Sequence, residues 1–370
     1  MKIIHCADIH LDSKMTSNLS SEKAKERKYE ILQTFLGMIA YGADHGVKAV
    51  VIAGDLFDTK NITAGTRNAV LDAITTHPDM DFYYLQGNHG GGNVFPDGIS
   101  KLPENLKLFG EEWTAYTLYA SEKKRIVLSG IELTEENAGQ IYSSLLLDPR
   151  DFNIVTLHGQ LGVYEAKSPE SIGLNELKGK NIDYLALGHV HEYQEGRLAP
   201  RGIYCYCGCL EGRGFDECGK HGFVLLDIDE ETFDCAREVI DISRRTIHEL
   251  HVDISDCMNT PEIQRKLEEE FPKQQCAAED LVKVILEGKL DVNCEKNTEF
   301  LAKWLRDCFY YAKLKDETKI EVDYNDYILE ASLKGEFVRL VKGDDTLTED
   351  EKAELIRCGF QALSEEEIEI

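Results

Sequence analysis

Residues 48–55 read KAVVIAGD, a short apolar run that stops on a glycine and then an aspartate. Five apolar residues in a row, three of them β-branched and closed by glycine, mark a strand buried on both faces. The arrangement recurs along the first half of the chain. KIIHCA at 2–7 leads to Asp8 and His10, and DFYYLQG at 81–87 leads to Asn88 and His89. FNIVTL at 152–157 leads to His158, and IDYLALG at 182–188 leads to His189 and His191. Five strand ends therefore offer eight residues able to hold a metal ion. Between the first two strands, residues 21–46 place Ile31, Phe35 and Ile39 at i, i+4 and i+8 and close on Gly46, as a helix lying on a sheet does. This βαβ unit predicts an α/β fold with a largely parallel sheet. Ligands of such sheets bind beyond the carboxyl ends of the strands, where the eight residues fall.

The chain has 370 residues, enough for one full core and one or two smaller modules. Its apolar runs are far shorter than the roughly 20 residues of a membrane-spanning helix. The start, MKIIHCADIH, reaches Asp8 before a secretory apolar core can form, so a cytoplasmic protein is expected. The 11 scattered cysteines fit reduced thiols better than a disulfide framework. Against 41 basic residues stand 68 acidic ones, a net charge of -27, the wrong sign for a broad surface that grips nucleic acid unaided. Clustered carboxylates do suit hard divalent cations, through which a polyanionic substrate can be met.

Asp, Asn and His converging without cysteine suit manganese, iron or zinc better than an all-oxygen calcium site or a thiolate zinc site. Eight candidates exceed one coordination sphere, which implies two divalent ions. Such a pair lowers the pKa of a water toward neutrality and neutralises phosphoryl oxygens.

The five segments DIH, GDLFD, GNH, LHGQ and GHVH, in this order, resemble the signature motifs of the calcineurin-like metallophosphoesterases, and VVIAGDLFDT and ALGHVHEY resemble the SbcD-type DNA repair exonuclease branch. The resemblance covers about the first 190 residues. It implies a two-sheet sandwich, with Asp8, His10, Asp55 and His191 on one metal and Asp55, Asn88, His158 and His189 on the other. Asp55 would bridge, and His89 would stand free of the metals, beside the substrate, as general acid or transition-state stabiliser. The branch usually has Asp after that histidine, whereas this chain has Gly90, so a support of His89 is missing unless a carboxylate such as Asp97 replaces it.

Weaker marks accompany the motifs. Asp12 and Asp58 are candidates to support the ligands, although Asp58 is as well suited to cap a turn. Cys205, Cys207 and Cys209 alternate as on one strand face with Cys218 beyond, which fits buried thiols better than a zinc site. In the resembling family this region flanks the active site, and Arg213 is the candidate for a phosphate contact. His5, His45, His77, His221, His248 and His251 match no motif and are expected to be structural or exposed.

These readings divide the chain into a nuclease domain at 1–245, an α/β capping domain at 246–325 and a helical tail at 326–370. The cap rests on position and element order, with a packing or dimerisation module as the alternative. In the tail, Thr348 and Glu351 make a capping box, and Ala353, Ile356, Phe360 and Leu363 share a helical face. The last thirty residues carry ten carboxylates, from Asp344 to Glu369, against Lys342, Lys352 and Arg357. The resemblance implies that this tail docks on an SbcC-type ATPase, that the protein is a homodimer and that the substrate is DNA. A phosphatase or cyclic-nucleotide phosphodiesterase of the same superfamily, and a non-catalytic scaffold for the ATPase, remain as alternatives.

Overall fold

A computed structural model describes residues 1–15, 19–58, 62–87, 102–162, 170–322, 324, 327 and 329–363. They form two compact units, Met1–Arg245 and Thr246–Ile370.

The first unit holds two six-stranded sheets. One contains β1 (Lys2–Cys6), β2 (Ala49–Ala53), β3 (Asp81–Leu85) and β4 (Leu106–Leu108), with β13 (Gly222–Ile228) and β14 (Cys235–Asp241). The other contains β5 (Thr114–Ala120), β6 (Arg125–Gly130), β7 (Phe152–His158), β10 (Tyr184–Gly188), β11 (Gln194–Leu198) and β12 (Gly202–Tyr206). A minor pair, β8 (Gln160–Gly162) and β9 (Ser171–Gly173), lies between them in sequence. Strand orders are β14-β13-β1-β2-β3-β4 and β11-β12-β10-β7-β6-β5. The sheets are parallel through β1 to β4 and through β6, β7, β10 and β12. They are antiparallel at the flanks, where β13, β14, β5 and β11 pair. One parallel sheet is thus too simple a picture, because the later hairpins add antiparallel strands to both.

Strand alternation builds the layers. Ile3, Val51 and Ala53 meet Ile154, Tyr184, Ala186 and Val224 between the sheets. The opposite faces take Ile4, Val50 and Ile52 to α1 (Ser21–Asp44) and α2 (Ala64–Thr75), and Val155, Leu157, Leu185 and Leu187 to α3 (Ile141–Ser144) and α4 (Leu174–Leu177). Both faces of these strands are therefore covered, which is why they read as unbroken apolar runs. Ile31, Phe35 and Ile39 of α1 are buried as their spacing predicts, Ser20 caps the helix, and Gly46 follows it in the left-handed region (φ 71°).

In the second unit, parallel strands β15 (Ile247–Asp253), β16 (Leu281–Glu287) and β18 (Tyr311–Asp316) pack on α5 (Thr260–Lys273) and α6 (Thr298–Cys308) through Leu250, Val284, Ile263, Leu301 and neighbours. A second pair, β17 (Lys289–Asp291) and β19 (Lys319–Glu321), stands beside α7 (Leu333–Lys342) and α8 (Glu349–Leu363). Val338, Val341, Ala353, Ile356 and Phe360 form a core there with Val292 and Val322. The capping box is present, Thr348 N–H donating to Glu351 Oε2 at 2.8 Å and Glu351 N–H to Thr348 Oγ1 at 3.3 Å. Leu363 does not share the buried face and is 42% exposed. No helix among the described residues is long and apolar enough to cross a membrane.

Candidate metal centre

The loops that leave β1 and β2 run on as a ladder past the strands. Asp8 N–H donates to Gly54 O, His10 N–H to Asp55 O, and Asp55 N–H to Gln86 O, at 2.9 to 3.1 Å. Four functional positions adopt positive φ in the process: Asp8 (52°), His10 (48°), Asp55 (50°) and His189 (101°). Such backbone costs on the order of 1 kcal/mol or more per residue and persists where its surroundings fix it, as at a site that must aim its side chains.

Asp8, His10, Asp55 and His158 are buried together, with His191 at their exposed side. Two groups form, Asp8 with His10 and His191, and Asp8 with Asp55 and His158. The donor atoms within each lie within 4.8 Å of one another. Asp55 Oδ2 sits between the two halves, 3.8 Å from His10 Nε2 and 3.3 Å from His158 Nε2. Donors about 2 Å from a shared ion stand about 3 to 4 Å apart, so the spacing fits metal coordination. Asp8 belongs to both groups, and the family pattern implies that role for Asp55.

Close packing fixes the ligands. His158 Nδ1 donates to Ala53 O at 2.9 Å. A Cβ on Gly54 (φ 106°) would lie 2.0 Å from that nitrogen, so only glycine leaves the ring its place. The His189 N–H reaches both Asp8 oxygens, at 2.8 and 3.0 Å. Its half-buried ring stands edge-on to that of His158, with centroids 5.5 Å apart, outside the two donor groups. Asn88, His89, Gly90 and Asp97 lie outside the described residues.

The cluster calls for positive charge. Burial pushes the Asp8 carboxyl up to about 6, even with His158 and His191 beside it. Burial also opposes a charged His158, yet the hydrogen bond to Asp55 and the charges of Asp8 and Asp55 prevail and bring it up to about 9. A proton or a cation meets the same demand, and Nε2 of His158 is where the two compete.

Two carboxylates beside the cluster escape the motif reading. Glu132 accepts from the backbone N–H of Gln86 and of Gly87, just before Asn88, and burial lifts it to about 7. Glu217 accepts from His191 Nδ1 at 2.6 Å and from Arg213 Nη2 at 2.8 Å. Burial works against its charge, but these bonds hold its carboxyl well below the usual range. Arg213 is thus near the site, its guanidinium engaged with Glu217. The one signal for Glu217 in the sequence is its i+4 spacing from Arg213 in a run of Gly and Cys. Asp12 turns to the start of α2, accepting from Thr63 N–H at 2.7 Å. Cys205 alone of the three alternating cysteines lies within β12. Cys207 and Cys209 follow its end, and all three are buried.

A family model described as calcineurin-like phosphoesterase matches residues 1–193. The uncharacterized metallophosphoesterase YhaO of Bacillus subtilis is 26% identical over 307 residues, 78% of this chain and 72% of its own. The DNA double-strand break repair proteins Mre11 of Methanosarcina acetivorans and Methanosarcina mazei are each 23% identical over 67% of this chain, and the matches span 39% and 38% of their lengths. Among solved structures, a dimetal phosphatase from Danio rerio aligns with a TM-score of 0.36 at 11% identity, covering 61% of this chain and 92% of that one.

Proposed function

The chain belongs to the calcineurin-like phosphoesterase family, and from that premise we propose that it hydrolyses phosphodiester bonds in DNA with two divalent cations, manganese first and iron or zinc as alternatives. The observation that carries the metal reading is the convergence of Asp8, His10, Asp55, His158 and His191 at the carboxyl ends of strands from both sheets. The ions, when bound, would lower the pKa of a water and neutralise the phosphoryl oxygens. Asp8 and Asp55 concentrate the negative charge that retains them, while neutral imidazoles limit the charge that faces a phosphate. Asn88 and His189 complete the ligand set in this reading, and His89 protonates the leaving alkoxide.

DNA as substrate is supported by the Mre11 relatives and by a second folded unit after the phosphoesterase unit. The net charge of -27 favours the rival reading, a phosphatase or small-ester phosphodiesterase. Manganese-dependent cleavage of single- and double-stranded DNA beside a generic phosphodiester separates them, with Asp55→Asn as control. DNA cleavage lost in the variant supports the nuclease. Hydrolysis of the small ester alone rejects it for the isolated chain.

We also propose that α7 and α8 dock on an SbcC-type ATPase, which would supply basic surface to a chain of net charge -27, and that the protein works as a homodimer. Leu333 and Leu340, one heptad apart on α7, are 74% and 68% exposed, while Val338 and Val341 face the core. Changing both leucines to Asp should abolish co-purification with the ATPase and leave manganese-dependent ester hydrolysis unchanged. Sedimentation of the purified chain tests the dimer.

A further inference from the structure

The loop after β12 does more than close the sheet. Two donors from Arg213 meet the Glu217 carboxylate, the backbone N–H at Oε2 (2.7 Å) and Nη2 at Oε1 (2.8 Å). The Glu217 side chain is 7% exposed. Its backbone is anchored as well, because the Glu217 carbonyl accepts from His221 Nε2 at 3.0 Å. The Oε1 held in this way faces His191 Nδ1 at 2.6 Å, and the opposite nitrogen, Nε2, points toward Asp8 Oδ1 at 4.0 Å. A carboxylate can only accept, so Nδ1 carries the hydrogen, and in the neutral ring the lone pair is then on Nε2, on the Asp8 side, the tautomer in which this imidazole would bind a metal. Arg213 Nη2 lies 3.0 Å from Nδ1 because both donors share one oxygen.

We propose that Glu217 is a positioning residue for the metal centre: it fixes the tautomer and ring angle of His191 and so sets the affinity of the ion that His191 binds, with Arg213 holding Glu217 rather than a substrate phosphate. The inference rests on the two-metal reading above. It assigns work to the segment 208–221 and accounts for a buried acid and a guanidinium beside His191.

The test is calorimetric titration of metal-free protein with manganese, which needs no turnover. Outer carboxylates of this kind are worth about 10- to 100-fold in metal affinity. Glu217→Ala should therefore weaken one of two binding steps by about 10-fold or more and leave the other within about 2-fold. Glu217→Gln, whose amide oxygen still accepts from Nδ1–H, should restore most of the loss. Equal weakening of both steps, no weakening, or a Gln variant as poor as the Ala variant would overturn the proposal. Should Glu217→Ala not fold, Glu217→Asp keeps the charge but withdraws the oxygen from His191, and an unchanged isotherm there overturns it equally. Wild-type protein that takes up no manganese, or Asp55→Asn that matches wild type, defeats the two-metal reading itself. Normal wild-type uptake beside an unaffected Glu217→Ala defeats this inference alone.

Discussion

His158 Nδ1 donates to the backbone carbonyl of Ala53, 105 residues earlier, at 2.9 Å, which turns Nε2 to Asp55 Oδ2 at 3.3 Å. One hydrogen bond thus ties the end of β7 in one sheet to the end of β2 in the other, and it spans the gap that Gly54 leaves open. Gly54→Ala puts a methyl group 2.0 Å from Nδ1 at a φ of 106°. The substitution should cost at least about 2 kcal/mol of stability and remove manganese uptake together with ester hydrolysis. Urea unfolding and a manganese titration check this, and a variant with wild-type uptake would show that the ring does not need its bond to Ala53.

The strand ends were legible because a strand buried on both faces has to read as an apolar run, so the polar residue after it stands out. That made Asp8, Asp55 and His158 visible, and helix α1 through Ile31, Phe35 and Ile39. The family resemblance implied the two sheets that the structure has, but their mixed pairing was not visible in the residues, since β13 returns across more than 200 residues to pair antiparallel with β1. Nor does a motif carry the left-handed backbone at Asp8, His10, Asp55 and His189, which arises from tertiary bonds between neighbouring loops. Glu132 and Glu217 stayed hidden for a related reason. Each serves through a contact with a residue 26 or more positions away, and the i+4 spacing of Glu217 from Arg213 is too common a pattern to single it out.

Arg27 is fully buried on α1, donating to Glu30 and, at 2.9 Å, to Glu211 and the Gly212 carbonyl. Glu211 also accepts from Thr34 and from the backbone of Arg244, so the network joins α1 to the loop that carries Arg213 and Glu217. Removing the cation leaves Glu211 buried without its guanidinium, while Glu30 keeps Arg245, and breaking a buried pair typically costs about 3 to 5 kcal/mol. Arg27→Met should show a loss of that order in urea unfolding, and Arg27→Met combined with Glu211→Gln should lose less than the sum of the two single changes. Strict additivity would mean that the residues do not act as one network.

His5 is fully buried on β1, with Nδ1 2.8 Å from the Tyr184 hydroxyl, and burial lowers its imidazole from 6.5 to about 3. The folded state therefore keeps His5 neutral while the unfolded chain takes up a proton below pH 6.5. Stability from this group is complete above pH 6.5 and falls as the pH drops toward 3, by about 1 kcal/mol at pH 5.5. Urea unfolding at pH 7.5 and 5.5, in chelator to exclude metal effects, should show a smaller acid loss in His5→Gln than in wild type. An identical loss in both proteins would mean that His5 does not titrate differently on unfolding.

The two donor groups make opposite demands on Asp8 and His10. Asp8 belongs to both, whereas His10 and His191 belong to one, and His158 and Asp55 to the other. If those groups are the two coordination spheres, Asp8→Asn should weaken both manganese-binding steps and His10→Ala only one. The family pattern, in which Asp55 bridges, instead has Asp55→Asn weaken both and Asp8→Asn one. Thermal stabilisation gives a second reading of the same question, because an ion at 100 times its dissociation constant adds about 2.7 kcal/mol per site. Wild type should gain from two sites and His10→Ala from one. Where Asp8→Asn falls, at one site or none, decides which aspartate the two ions share.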